Sequence, residues 1–325
     1  MACQFFLNVL VVALTAIHLS DEHKMLTRAQ AVVGHNASSP KMENHERNTS
    51  ANLGRKSLVM RFKRQAYRDS NYPRTIWSDG PVPFTIDSRL PKHARSIVLK
   101  SVAFWRDNTC IDFAFNGRGR NSIAFIRGKG CYSSIGRVWY ARSQALSVGQ
   151  ECEHSPNYRI MHFLQFHTIT HELAHALGIF HTQSRTDRDR YVTIISGNAE
   201  HSQRSNFIAE SSRVSENYGI PYEYGSVMHY RNHEFSVNNY PTVVARDPLH
   251  RQTMGSGTGP SFLDVLLVNK HYNCLDRCKK YNTSCVNGGY PHPRRCDYCM
   301  CPSGFGGRFC ETKVALLQRI INAFP

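Results

Sequence analysis

Beyond its first twenty residues this 325-residue chain has no apolar run long enough to cross a bilayer, which excludes a later membrane-spanning helix. It has no internal repeat, and so lacks the usual signature of a structural matrix protein. It is short of acidic residues: 24 Asp and Glu stand against 40 Lys and Arg, a formal charge of +16. The positive excess is scattered, with no basic segment interleaved with aromatics, so nucleic acid is not an expected partner. A solvated basic surface attracted to acidic matrix is the reading that remains. Part of the charge lies between Lys24 and Arg64, a stretch expected to be removed.

What is present points to the secretory route. The run Phe5 to Ile17 is apolar, flanked by small and polar residues and short for a span, so residues 1–20 are expected to be a signal peptide. That segment carries no Lys or Arg, which leaves an uncleaved anchor or a core helix as alternatives. Ten of the eleven cysteines lie beyond it and six crowd between Cys278 and Cys310, an even count that favours complete pairing in an oxidising compartment. Asn36, Asn48 and Asn282 head Asn-x-Ser/Thr triplets and are candidate glycosylation sites. Residues 21–64 are polar and without sustained periodicity, as expected of a propeptide, and end in Arg61-Phe62-Lys63-Arg64. Cations at that spacing suit an acidic processing-protease pocket, so cleavage after Arg64 is expected to start the mature chain at Gln65; a basic linker is the alternative.

From Tyr72 the composition becomes globular and the pattern α+β. Val82 to Ile86 reads as a strand, Arg95 to Asp107 as a helix through Ile97, Val98, Val102 and Trp105, and Cys110 to Phe115 and Ser122 to Ile126 as strands. A helix is expected around Ile169 to Phe180, and another over Ser261 to Tyr272 with Ser261 and Asp264 as a capping box.

The segment His171-Glu172-Leu173-Ala174-His175-Ala176-Leu177-Gly178-Ile179-Phe180-His181 carries the chemistry. His171 and His175, four apart, project from one helix face toward one metal ion, and Glu172 lies beside them. Gly178 can take positive φ and end the helix, so that His181 arrives as a third ligand. Three neutral imidazoles leave a position for water, the mark of a catalytic Zn(2+) site. A chance HExxH occurs in about one chain in thirty of this His and Glu content; adding the glycine and third histidine drops that to about one in ten thousand. His167 stands one turn earlier on the same face, but a straight row of three cannot surround a tetrahedral ion, so a hydrogen-bonding or exposed role is expected there.

With these residues in view the chain resembles the astacin-type metzincins over most of Trp77 to Cys274. The zinc helix is followed by Arg185, Asp187-Arg188-Asp189 and Tyr191-Val192, and Ser226-Val227-Met228-His229-Tyr230 matches the family's Met-turn. The resemblance implies an astacin-like metzincin catalytic domain over residues 65–277, with Met228 packed beneath the zinc and Tyr230 an additional, movable ligand. It implies Glu172 as general base and Tyr230 as a hydrogen-bond donor to the developing oxyanion. It further implies the pairs Cys110 with Cys274 and Cys131 with Cys152, and substrate lying extended along an edge strand near Ile123 to Arg127. Residues 278–310 look EGF-like, which implies Cys278 with Cys296, Cys285 with Cys299 and Cys301 with Cys310; a zinc cluster is the alternative use of these cysteines. Residues 311–325 form a tail.

The implied function is that of a secreted zinc endopeptidase, made as a zymogen, that cuts extracellular proteins or peptides and has matrix contacts through the EGF-like module. The rival is an extracellular adhesion protein on the same fold. Several features depart from the family pattern. Thr182 stands where a Glu commonly follows the third histidine, and Asp21 is the only aspartate in the leader. Glu153 to Thr170 is long for its place, with Ser155 to Phe166 as the apparent excess, read as a surface loop or a stretch absent from the working protein.

Overall fold

The computed structural model describes residues 65–117, 121–149 and 158–314. The chain enters through a short strand β1 (Ala66–Tyr67) and continues to β2 (Val82–Ile86), whose Val82 and Phe84 point into the core. Helix α1 (Lys92–Asn108) buries Ala94, Ile97, Val98, Ser101, Val102 and Trp105, a stripe at helical spacing. Strands β3 (Phe113–Phe115), β4 (Ile123–Ile126), β5 (Cys131–Ser133) and β6 (Gln144–Val148) complete a five-stranded sheet in the order β3-β2-β4-β6-β5. All its pairings are parallel except β5 with β6.

That order corrects the placement of substrate near Ile123 to Arg127. β4 is hydrogen-bonded to β2 on one side and β6 on the other, so its main chain is already used; the sheet's edges are β3 and β5. A second correction concerns Ser155 to Phe166. From Tyr158 onward this stretch is helix, the opening turns of α2 (Tyr158–Ala176), rather than a surface loop. Phe166 packs edge-on against Phe104 of α1 at 5.8 Å, and Trp105 donates its indole N–H to Thr170 O at 3.2 Å, so the two helices are joined at residues 104–105 and 166–170. Residues 155–157 lie outside the described residues.

α2 stops earlier than Phe180. Gly178 takes φ +96°, and a Cβ there would meet His271 Nε2 at 2.8 Å, so the turn needs glycine both for its backbone and for the approach of α3 (Phe262–His271). The α3 capping box is formed: Ser261 Oγ accepts from Asp264 N at 3.0 Å, and Asp264 Oδ2 accepts from Ser261 N at 2.9 Å. The lower half is otherwise irregular, held by β7 (Val192–Ile194), β8 (Ser215–Glu216) and β9 (Val243–Ala245), with β1 pairing β8 and β7 pairing β9.

A disulfide joins Cys110 at the end of α1 to Cys274 after α3, with Cα atoms 5.2 Å apart. The small C-terminal domain is disulfide-rich, with Cys278 bonded to Cys296, Cys285 to Cys299 and Cys301 to Cys310. Arg294 fixes it to the upper half, donating from Nε to Thr109 O at 2.8 Å and from Nη2 to Asp112 Oδ1 at 2.8 Å. Cys131 is disulfide-bonded, while Cys152 lies outside the described residues. Also outside them are residues 1–64, which hold the expected signal peptide and propeptide with Asn36, Asn48 and Arg64, and residues 315–325; Asn282 is described and exposed. Among the described residues no helix is long and apolar enough to cross a membrane.

Candidate active site

The site is assembled from the end of α2, the turn after it, and the turn at Ser226 to His229. His171 and His175 leave α2 one turn apart; the break at Gly178 brings His181 to the same point. The Nε2 atoms of His175 and His181 stand 3.2 Å apart, as do those of His181 and His171, and the three donors all fall within 4.8 Å of one another. His171 Nδ1 faces Val227 O at 2.7 Å and His175 Nδ1 faces Ile179 O at 2.7 Å. A carbonyl can only accept, so both Nδ1 atoms carry the proton and both Nε2 atoms present lone pairs. Lone pairs so close repel unless a cation lies between them. Donors about 2.0–2.1 Å from a tetrahedral zinc ion stand roughly 3.3 Å apart, so the donor set fits that ion.

Glu172 is buried on the same helix, and its charge acts on Tyr230. Tyr230 is buried with its ring centroid 4.5 Å from that of His181. Burial, then the charges of Glu234 and Glu172, push its phenol well above the usual range, so the hydroxyl keeps its proton at neutral pH. Phe207 and Phe235 flank it edge-on, each at 5.6 Å.

The turn carrying Met228 closes with His229 N donating to Ser226 O at 3.1 Å, and Met228 is fully buried. His229 is held between Tyr222 Oη at 2.7 Å and Tyr230 O at 2.6 Å, and burial depresses its imidazole to about 4, so it is neutral. His167 donates from Nδ1 to Gly257 O at 2.7 Å, outside the triad.

Several contributors escape a reading of the sequence. Asp264, which the sequence marks only as a helix cap, also accepts from Ser226 Oγ at 2.5 Å and from Val227 N at 2.8 Å, and so fixes the Met-containing turn from below. Burial pushes its carboxyl upward against these donors. Gln183 Oε1 accepts from Tyr230 N at 3.1 Å. Arg185 and Asp187, both buried, form a two-bond ion pair that also ties Ile220 and Pro221 carbonyls to the turn after His181. The capping pattern could have flagged Asp264; Arg185 and Asp187 stand out only as part of the family match, which does not say what they hold, and nothing local marks Gln183.

An imidazole triad mounted in this way, on a helix below a mixed sheet, defines the metzincin class of folds. Residues 69–273 match the peptidase family described as Astacin. The chain is 44% identical over 253 residues to zinc metalloproteinase nas-29 of Caenorhabditis elegans, covering 77% of this chain and 45% of that protein. It is 36% identical over 244 residues to zinc metalloproteinase nas-36 of Haemonchus contortus, covering 74% of this chain and 37% of that protein. Among solved structures it is similar to high choriolytic enzyme 1, a hatching enzyme zinc-protease from Oryzias latipes, with a TM-score of 0.54 and 27% identity over 64% of this chain and 98% of that one. The chain belongs to the astacin family, whose members depend on zinc. It spans less than half the length of the curated relatives named here.

Proposed function

We propose that this chain is a zinc-dependent endopeptidase, made as a secreted zymogen and acting on extracellular proteins or peptides. The observation that carries the reading is the convergence of three imidazole Nε2 atoms, two of them 3.2 Å from the third, beside a buried carboxylate on the same helix. His171, His175 and His181 hold the metal. When bound, zinc lowers the pKa of a coordinated water toward about 7 and polarises the scissile carbonyl. Glu172 takes the proton from the attacking water and returns it to the leaving amine. Tyr230, protonated at neutral pH, donates its hydroxyl to the oxygen on which negative charge develops.

Substrate lies extended along β5. Among the described residues that strand is a free edge, and just after it Gly136 N donates to His175 O at 2.8 Å, so the edge runs to the triad. The three-disulfide domain is EGF-like and offers a surface for matrix contacts. Removal of residues 21–64 after Arg64 releases the mature protein. The rival reading, an adhesion protein on the same fold, leaves the buried Glu172 without a task.

The test is a peptide-library cleavage profile of the chain beginning at Gln65, run with zinc and with a chelator. Zinc-dependent internal cleavage is expected; absence of turnover in a folded, zinc-loaded protein would dismiss the reading.

A further inference from the structure

The first described residues of the chain lie against the segment between His175 and His181. Tyr67 N donates to Gly178 O at 2.7 Å, Phe180 N donates to Gln65 O at 3.1 Å, and Ala66 pairs with Ile179 between them. Residues 65–67 thereby back the short segment that links His175 to His181. Ile179, at the centre of that pairing, supplies the carbonyl that fixes the His175 ring.

A side-chain path continues from there. Gln65 is 4% exposed, and its amide Nε2 donates to Thr182 Oγ1 at 3.0 Å and to Phe180 O at 3.3 Å. Thr182 Oγ1 donates to Ser226 Oγ at 3.0 Å, and Ser226 Oγ donates to Asp264 Oδ1 at 2.5 Å while accepting from Met228 N at 3.0 Å. Thr182 N donates to Met228 O at 2.9 Å. The other oxygen of Asp264 accepts from Val227 N, whose own carbonyl faces His171 Nδ1. Each member of the path is buried, and the path ends at Val227, whose carbonyl orients His171, while the main-chain pairing of Ala66 backs Ile179, whose carbonyl orients His175.

We infer that Gln65 is a positioning residue of the metal centre: its amide, through Thr182, Ser226 and Asp264, holds the Met-containing turn and the loop before His181 in the register the triad needs. The inference rests on the zinc-centre reading. Thr182 supports it in particular, because a hydroxyl accepts from Gln65 and donates to Ser226 at once. Without the donation from Gln65 the loop and the turn remain joined through Thr182, and residues 65–67 keep their main-chain bonds to Gly178 and Phe180, but Thr182 Oγ1 loses the donor that orients it toward Ser226, and the ring-orienting carbonyl of Val227 is held less firmly. Outer partners of ligating histidines typically contribute 10–100-fold in metal affinity or activity.

The experiment measures zinc affinity by competition with a chromophoric chelator, independently of peptidase activity, on the disulfide-complete protein. Gln65→Met keeps the volume and removes the donor; Thr182→Val removes the hydroxyl; Thr182→Ser keeps it. Gln65→Met and Thr182→Val should each weaken zinc binding by about tenfold, and the double substitution by no more than the worse single. Thr182→Ser and the exposed control Gln252→Ala should match the parent. Unchanged affinity in Gln65→Met, or effects of the two substitutions that multiply, would overturn the inference. A parent that binds no zinc would instead overturn the zinc-centre reading. Should Gln65→Met fail to fold, the Thr182→Val and Thr182→Ser pair decides the matter: equal affinities in the two would also overturn it.

Discussion

At the scale of single residues the account depends on protons being where the chemistry needs them. The carbonyls of Val227 and Ile179 force the proton of His171 and His175 onto Nδ1, so orientation and tautomer are set by backbone rather than by another titrating side chain. Tyr230 is kept protonated by burial and by two nearby carboxylates, which suits a donor and not a base. Tyr230→Phe should therefore lower kcat by about 100-fold with KM changed much less, since the hydroxyl acts where charge develops in the transition state. Steady-state kinetics on one peptide decide it, and a change confined to KM would show that the phenol only binds substrate.

At the scale of elements, what is legible from sequence is what local physics dictates. The stripe through Ile97, Val98, Val102 and Trp105 forms α1, the alternation after Pro81 forms β2, and the Ser261 and Asp264 capping box opens α3. Sheet order is not legible, because β4 is short and apolar like its neighbours and strand adjacency is decided by contacts distant in sequence. The start of α2 escapes the pattern because the residues before His167 mix apolar and polar types at nearly every position, which gives the helix no amphipathic signature. The triad itself is legible because its spacing is local; the path from Gln65 to Asp264 is not, because its first link joins residues 117 positions apart. α2 also carries a flaw that sequence hides: Gln165 is fully buried, and neither atom of its amide has a hydrogen-bond partner among the described residues. An unsatisfied buried amide costs about 1–3 kcal/mol, so Gln165→Met should raise unfolding stability by about 1 kcal/mol. Urea denaturation of the disulfide-complete protein measures this, and a loss of stability would show that the amide is satisfied by water.

At the scale of the whole molecule, a helix-end histidine couples stability to acid. His271 is fully buried between Gly178 and the rings of Tyr72, Tyr218 and Tyr272, and burial with the charge of Arg68 holds its imidazole down from 6.5 to about 3. Below about pH 6.5 the unfolded chain takes up a proton that the folded chain refuses until about pH 3, so the unfolded state binds more protons and stability falls as pH falls across that window. This one group should contribute a slope of up to about 1.4 kcal/mol per pH unit. Denaturation midpoints of the parent and His271→Gln across pH 4 to 6 should diverge in slope. Equal slopes would mean that other groups carry the acid sensitivity.

The claim that organises all three scales is that one carboxylate performs the proton transfers while three imidazoles do the holding, and Glu172→Gln separates the two roles in a single sample. Zinc content and kcat on a cleavable peptide should be measured together, on the same folded preparation, beside the parent. Retained zinc with kcat lowered at least about 100-fold is the predicted result. Retained zinc with turnover near that of the parent would contradict the account.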